Sequence, residues 1–145
     1  AANECRREHP ALRRGSSKTL HKDHENGVLA VERHDQETGE RLIVVVNNGD
    51  GQWDAESPYS IHVGNRWENA EGFEEMYNSQ DEAFGGWAKS GNAERGVVEQ
   101  DGDMLPLAIP KLGLIILKQR DAPAKDPDAV LAELSAKSAA SIAAL

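Results

Sequence analysis

Aliphatic residues arrive in short bursts separated by turn residues, which is the spacing of a β protein rather than a helical one. The segment "TLHKDHENGVLAVERH" (19–34) predicts a short strand, a turn at Glu25-Asn26-Gly27, and a second strand opening with Val28, Leu29, Ala30 and Val31. After the turn "DQETGE" (35–40), "RLIVVVNN" (41–48) is the β-branched run of a strand buried on both faces. Two strands joined by a short Gly-containing loop form a hairpin. "GDGQWDAESP" (49–58) is a polar loop and "YSIHV" (59–63) alternates as a half-buried strand does. "GFEEMYNS" (72–79), "RGVVEQ" (95–100), "MLPLAI" (104–109) and "LGLIILKQ" (112–119) complete about eight strands.

Regular strands without intervening helices predict an all-β fold, a Greek-key-like antiparallel β-sandwich, with short helical segments at both ends. Across residues 16–119 the expected inward set is Leu29, Val31, Ile43, Val45, Leu114 and Ile116. A helix over 3–9 should stop near His9, because Pro10 restricts the residue before it. After "APAKDP" (122–127), the Ala-rich stretch 128–145 places Leu131, Leu134, Ile142 and Leu145 near one helical face. The chain thus divides into 1–14, a β domain over 15–121, and a linker with a helical tail over 122–145.

At 145 residues this is one domain with a tail, large enough for a core without staples. The single Cys5 excludes an internal disulfide framework, in keeping with a reducing, cytoplasmic setting. No apolar run reaches the ~20 residues of a membrane span. The start, "AANECRREHPALRRG", has neither an initiator Met nor the apolar core of a signal peptide, and it reads as the cut end of something longer.

The net charge of −9 is unevenly spread. Residues 1–22 carry six Lys/Arg against two Glu, and 49–103 carry thirteen Asp/Glu against three Lys/Arg. An acidic surface disfavours nucleic acid as a partner. A solvated helix face accounts for the basic start more simply than a phosphate patch.

Candidate chemistry is sparse. "HKDH" offers His21, Asp23 and His24, but structural zinc takes about four convergent ligands and an extended chain points His21 and His24 to opposite faces. Asn47, Asn48, Asp50, Asp54 and Glu56 could supply oxygens to calcium, yet the loop lacks the EF-hand pattern and reads as a polar hairpin loop. No Gly-x-Ser-x-Gly elbow occurs, and Glu74/Glu75 and Asp81/Glu82 are adjacent in sequence without any sign of facing one substrate. The residues hold no self-contained catalytic set, no metal site and no cofactor motif. All three Trp fall in or beside predicted loops, where a flat aromatic face either stacks on sugar or plugs the open end of a sandwich. Trp53, Trp67, Tyr77 and Trp87 are the candidate sugar platforms.

Taken in order, "RREHPALRRG", "VLAVERHDQETGERLIVVVNN", "YSIHVG" with a following "RW", "MYNSQDEAFGG" with a following "GN", and "LPLAIPKLGLIILK" resemble the end of an α-amylase-superfamily enzyme. The similarity covers roughly 6–118 and is closest to 1,4-α-glucan branching enzymes. It implies that 1–14 closes the last helix of a catalytic (β/α)₈ barrel and that an all-β carboxyl-terminal domain follows. Gln80 stands where branching enzymes commonly carry Asp. The Gly pair would permit backbone conformations that side chains forbid, and Phe84 would anchor the returning loop in the core.

The resemblance implies a non-catalytic domain that braces the barrel and offers a weak secondary α-glucan surface. The retaining mechanism and its paired carboxylates would belong to the barrel. With its barrel-facing side uncovered, 3–14 would expose apolar groups, notably Leu12. The alternative is a free-standing carbohydrate-binding or protein-interaction module.

Overall fold

The computed structural model describes residues 2–64, 67, 70–84, 86 and 91–121; the tail over 122–145 lies outside the described residues. Two short helices open the chain, α1 (Ala2–Glu8) and α2 (Pro10–Arg14). Pro10 ends the first as expected, then starts the second, because its missing N–H and fixed φ suit the first helical position. Among the described residues seven strands follow: β1 (Ser16–Asp23), β2 (Val28–His34), β3 (Arg41–Asn47), β4 (Tyr59–His62), β5 (Ala70–Asn78), β6 (Met104–Leu107) and β7 (Leu114–Asp121). A 3₁₀ turn at Glu82–Phe84 and helix α3 (Gly91–Arg95) lie between β5 and β6. None of the described helices is long and apolar enough to cross a membrane.

All pairings are antiparallel. One sheet has the order β1-β2-β3-β7-β5, and β4 and β6 form a second, two-stranded sheet. The first two connections are hairpins with built-in turns. Asp23 Oδ1 accepts the amides of Glu25 and Asn26, and Gly27 takes φ 73°, a left-handed conformation that costs glycine little. In the second, the buried Asp35 carboxylate accepts Thr38 Oγ1 at 2.6 Å and Arg14 at 3.2 Å.

Directly opposed residues on neighbouring strands share a face, so the register sorts the side chains. Ala30, Val45 and Ile115 form one row across the inner face, and Glu32, Ile43 and Leu117 the next. The inner face packs on Ile61, Val63, Leu105, Leu107 and Ile109 from the β4–β6 side, with Phe73 and Trp67 between the layers. The Trp67 and Phe73 rings meet edge to face, 5.0 Å apart. Burying each large apolar side chain contributes about 1.5–3 kcal/mol, so this layer carries the fold.

Three expectations are corrected. Of the six residues expected inward, Ile43 and Val45 lie in the main core, but Leu29, Val31, Leu114 and Ile116 lie on the opposite face of the sheet. "VLAV" and "LIIL" are apolar at both parities, so alternation gave no guide to which side faces in. The segment 95–100 is not a regular strand: it begins at the end of α3 and pairs with β5, among the described residues, through the isolated bridge between Val98 and Phe73. Finally, Leu12 is half-buried rather than exposed, packed with Ala11 against Leu42 and Ile116.

Candidate functional site

The outer face of the five-stranded sheet is nearly as apolar as the inner one. Leu29, Val46 and Leu114 form one cross-strand row, and Val31, Val44, Ile116 and Tyr77 form the next. Helix α2 covers only part of it. The helix is held by His9 Nδ1 on Glu40 at 2.9 Å, the Ala11 amide on the same carboxylate at 3.1 Å, and Arg33 Nε donating to the Ala11 carbonyl at 3.1 Å. Arg14 adds ion pairs to Asp35 and Glu37, and its hydrogen bond to Asp35 raises the guanidinium pKa. Beyond α2, Leu29 remains 37% exposed.

Beside this face, the turn after β5 projects an aromatic outward. Ser79 extends the ladder to β7, exchanging hydrogen bonds with Leu114 through its own amide and its hydroxyl. Asn78 Oδ1 then accepts the Gln80 amide, and Asp81 Oδ1 accepts that of Ala83. Gly86 returns so close to Gln80 that a Cβ there would strike the Gln80 backbone; close approach, not a left-handed φ, is what requires this glycine. Phe84 does not anchor the loop in the core: it is 51% exposed and lies 5.5 Å from the Tyr77 ring. Gln80 Nε2 donates to the carbonyl of Leu112, which is itself 53% exposed and holds φ 51°.

The proposed sugar platforms separate. Trp67 is 6% exposed and donates its indole N–H to Val63, so neither of its faces is open to a ligand. Trp53 is half-buried, tilted against Tyr59 at 4.6 Å, and Gly51 lies so close to its ring that an added Cβ would fall 2.5 Å from it. Tyr77 is half-exposed next to Phe84, which sequence reasoning had placed in the core. Trp87 lies outside the described residues.

A polar network sits where the two sheets meet. A bulge between Thr19 and His21 shifts β1 by one residue, so His21 and Asp23 pair with Ala30 and Val28 and share their inner face. There Tyr59 of β4 donates its hydroxyl to Asp23 Oδ2 at 2.6 Å, and His21 Nε2 lies 2.8 Å from the Tyr59 hydroxyl oxygen. The amide of His62 donates to His21 Nδ1 at 3.2 Å. Hydrogen bonds, chiefly from Tyr59 and then Asn26, hold the Asp23 pKa down at about 2. Burial, reinforced by the hydrogen bond to Asp23, pushes the Tyr59 hydroxyl well above its usual range. Burial also lowers His21, against the opposing pull of Asp23. His21 is therefore half-buried and hydrogen-bonded, not a freely solvated histidine.

The other motifs serve the fold. Asn47 Nδ2 donates to the carbonyls of Gly51 and Pro110, and Asp54 accepts the amides of Glu56 and Ser57. Among the described residues no group of three or more His, Cys, Asp or Glu is arranged to hold a metal ion. Glu74 pairs with Arg120, while Glu75 accepts from Asn92, so these adjacent carboxylates serve different partners.

A family model described as "Alpha amylase, C-terminal all-beta domain" matches residues 19–120. The chain belongs to this family. The match includes at least part of every strand from β1 to β7 and leaves out both amino-terminal helices. The chain is also similar to a solved structure, an α-amylase from H. orenii, at 19% identity and a TM-score of 0.47, over 79% of this chain and 18% of that one. No curated protein matches. In this α-amylase C-terminal domain, then, the feature that the sandwich itself does not require is the apolar outer face with Phe84 and Leu112 at its margin.

Proposed function

We propose that this domain braces the catalytic (β/α)₈ barrel of a cytoplasmic α-glucan-processing enzyme, and that the enzyme is a 1,4-α-glucan branching enzyme. The observation that carries the reading is the second apolar face. A sandwich needs one buried face per sheet, and solvent-facing positions are ordinarily polar. Here the outer rows are aliphatic and only partly covered by α2, as a face that meets a further domain would be.

Leu112 points the same way. A non-glycine residue in the left-handed region costs on the order of 1–2 kcal/mol, and the Leu112 side chain is exposed, so the turn before β7 gains nothing from leucine that glycine would not give. A contact with the barrel would account for leucine at this position. Leu112→Gly is expected to leave this chain as stable or up to about 1 kcal/mol more stable. In the intact enzyme, the double variant Phe84→Ser with Leu112→Gly is expected to lower the thermal midpoint of the barrel. If scanning calorimetry shows the intact enzyme unaffected, the face serves something else.

The branching assignment rests on the sequence resemblance and is tested with the intact enzyme on amylose. Branching lowers the iodine absorbance with few new reducing ends, whereas hydrolysis releases reducing ends in step with the loss. The domain's own glucan surface is expected to be weak, since its half-exposed aromatics, Trp53 and Tyr77, lie far apart in the sequence and each adds a modest increment. Maltoheptaose titration followed by Trp fluorescence should give a Kd near millimolar, about −4 kcal/mol, or no binding. Micromolar affinity that survives Trp53→Ala and Tyr77→Ala would move the site elsewhere.

A further inference from the structure

We propose that His21, Tyr59 and Asp23 form a pH-operated clip that ties the edge strand β1 to the second sheet while His21 is neutral and releases it when His21 is protonated. The hydrogen bonds admit one arrangement of protons. The His62 amide can only donate, so His21 Nδ1 must accept and carry no proton. The neutral ring then bears its proton on Nε2 and donates it to the Tyr59 oxygen. Tyr59 in turn donates to Asp23, whose remaining acceptor positions are taken by Asn26 and Glu25. Each group has one role, and the chain of bonds runs from β4 to β1 and back.

Protonating Nδ1 turns an acceptor into a donor aimed at the N–H of His62. That bond is lost and the two hydrogens oppose each other. The groups around His21 determine how readily this happens. Asp23 on its own strand favours the cation, and the His62 side chain on β4 opposes it. The inner-face neighbours on β2, Val28 and Ala30, are uncharged. Lys18 and Asp103 line the adjoining groove of about 330 Å³ with His62. Burial of the ring lowers its pKa, so the folded state prefers neutral imidazole more than the unfolded state does. The clip's contribution is therefore complete above the ordinary histidine value, near 6.5, and declines as pH falls below it.

β1 is the natural element to release. It lies at the edge of its sheet, its first four residues are exposed, and among the described residues it packs chiefly on β2 and, beyond that strand, on β4. Opening would uncover Tyr59 and the Trp53 ring tilted against it, and would widen the groove between the sheets.

The test uses the whole 145-residue chain and NMR. At pH 7.5, imidazole ¹⁵N shifts should show His21 protonated at Nε2 and bare at Nδ1, with a titration midpoint below the ordinary histidine value near 6.5. Between pH 7.5 and 5, after correction for intrinsic exchange, protection of the β1 amides and of the His62 amide should fall roughly tenfold relative to Val45 in the core. His21→Gln, neutral at every pH, should abolish that pH dependence. Tyr59→Phe should keep the fold and weaken protection already at pH 7.5. An Nδ1-protonated ring, a midpoint at or above that ordinary value, or the same pH-dependent loss in His21→Gln would overturn the clip.

Discussion

Replacing Phe73 by alanine is expected to lower the stability of the domain by about 3–5 kcal/mol. The ring is fully buried between the two sheets, edge to face with Trp67, on a strand that pairs with β7 on one side and with Val98 through a two-way bridge on the other. Its loss removes the transfer free energy of the ring and leaves a cavity that two hydrogen-bonded sheets cannot collapse to fill. Domains of this size have about 5–15 kcal/mol in total, so the variant should sit near the edge of folding. Urea unfolding followed by far-UV circular dichroism measures the change. A loss under about 1.5 kcal/mol at unchanged m would mean that Phe73 does not bridge the two layers.

Asn92→Ala is expected to cost about 2–4 kcal/mol, although the side chain is polar and sits on a five-residue helix. Asn92 is fully buried. It donates to the Ala108 carbonyl at 2.6 Å and accepts the Ala108 amide at 2.8 Å, in the manner of a missing strand partner. It also donates to Glu75 at 3.2 Å. Alanine would leave both backbone groups of the buried Ala108 without these bonds, which is costlier than losing a contact between apolar groups. Asn92→Asp should be as damaging, because a carboxylate cannot donate to the Ala108 carbonyl and would stand beside Glu75. If thermal unfolding places both variants within about 0.5 kcal/mol of the parent sequence, water replaces the side chain at this site.

The hydrophobic pattern by itself determined the class of fold. Turn residues at Asn26-Gly27 and Asp35–Gly39 and β-branched runs between them act over a few residues, and β2, β3, β4, β5, β6 and β7 lie close to where that local chemistry puts them. The order of motifs also sufficed to place the chain near the α-amylase carboxyl-terminal domains, and the family match over 19–120 agrees. Three things were decided only in three dimensions. The faces of β2 and β7 depend on register with β3, because strands apolar at both parities carry no internal sign of which side is inner. The insertion of β7 between β3 and β5 is a long-range pairing that no local preference encodes. The roles of His21, Asp23 and Tyr59 hinge on a one-residue bulge in β1 that turns two polar side chains inward toward a residue 36 positions away. Local sequence sets the conformation of each segment, but which side chains meet depends on how strands far apart in the chain align, and that alignment is selected by the packing of the whole sandwich.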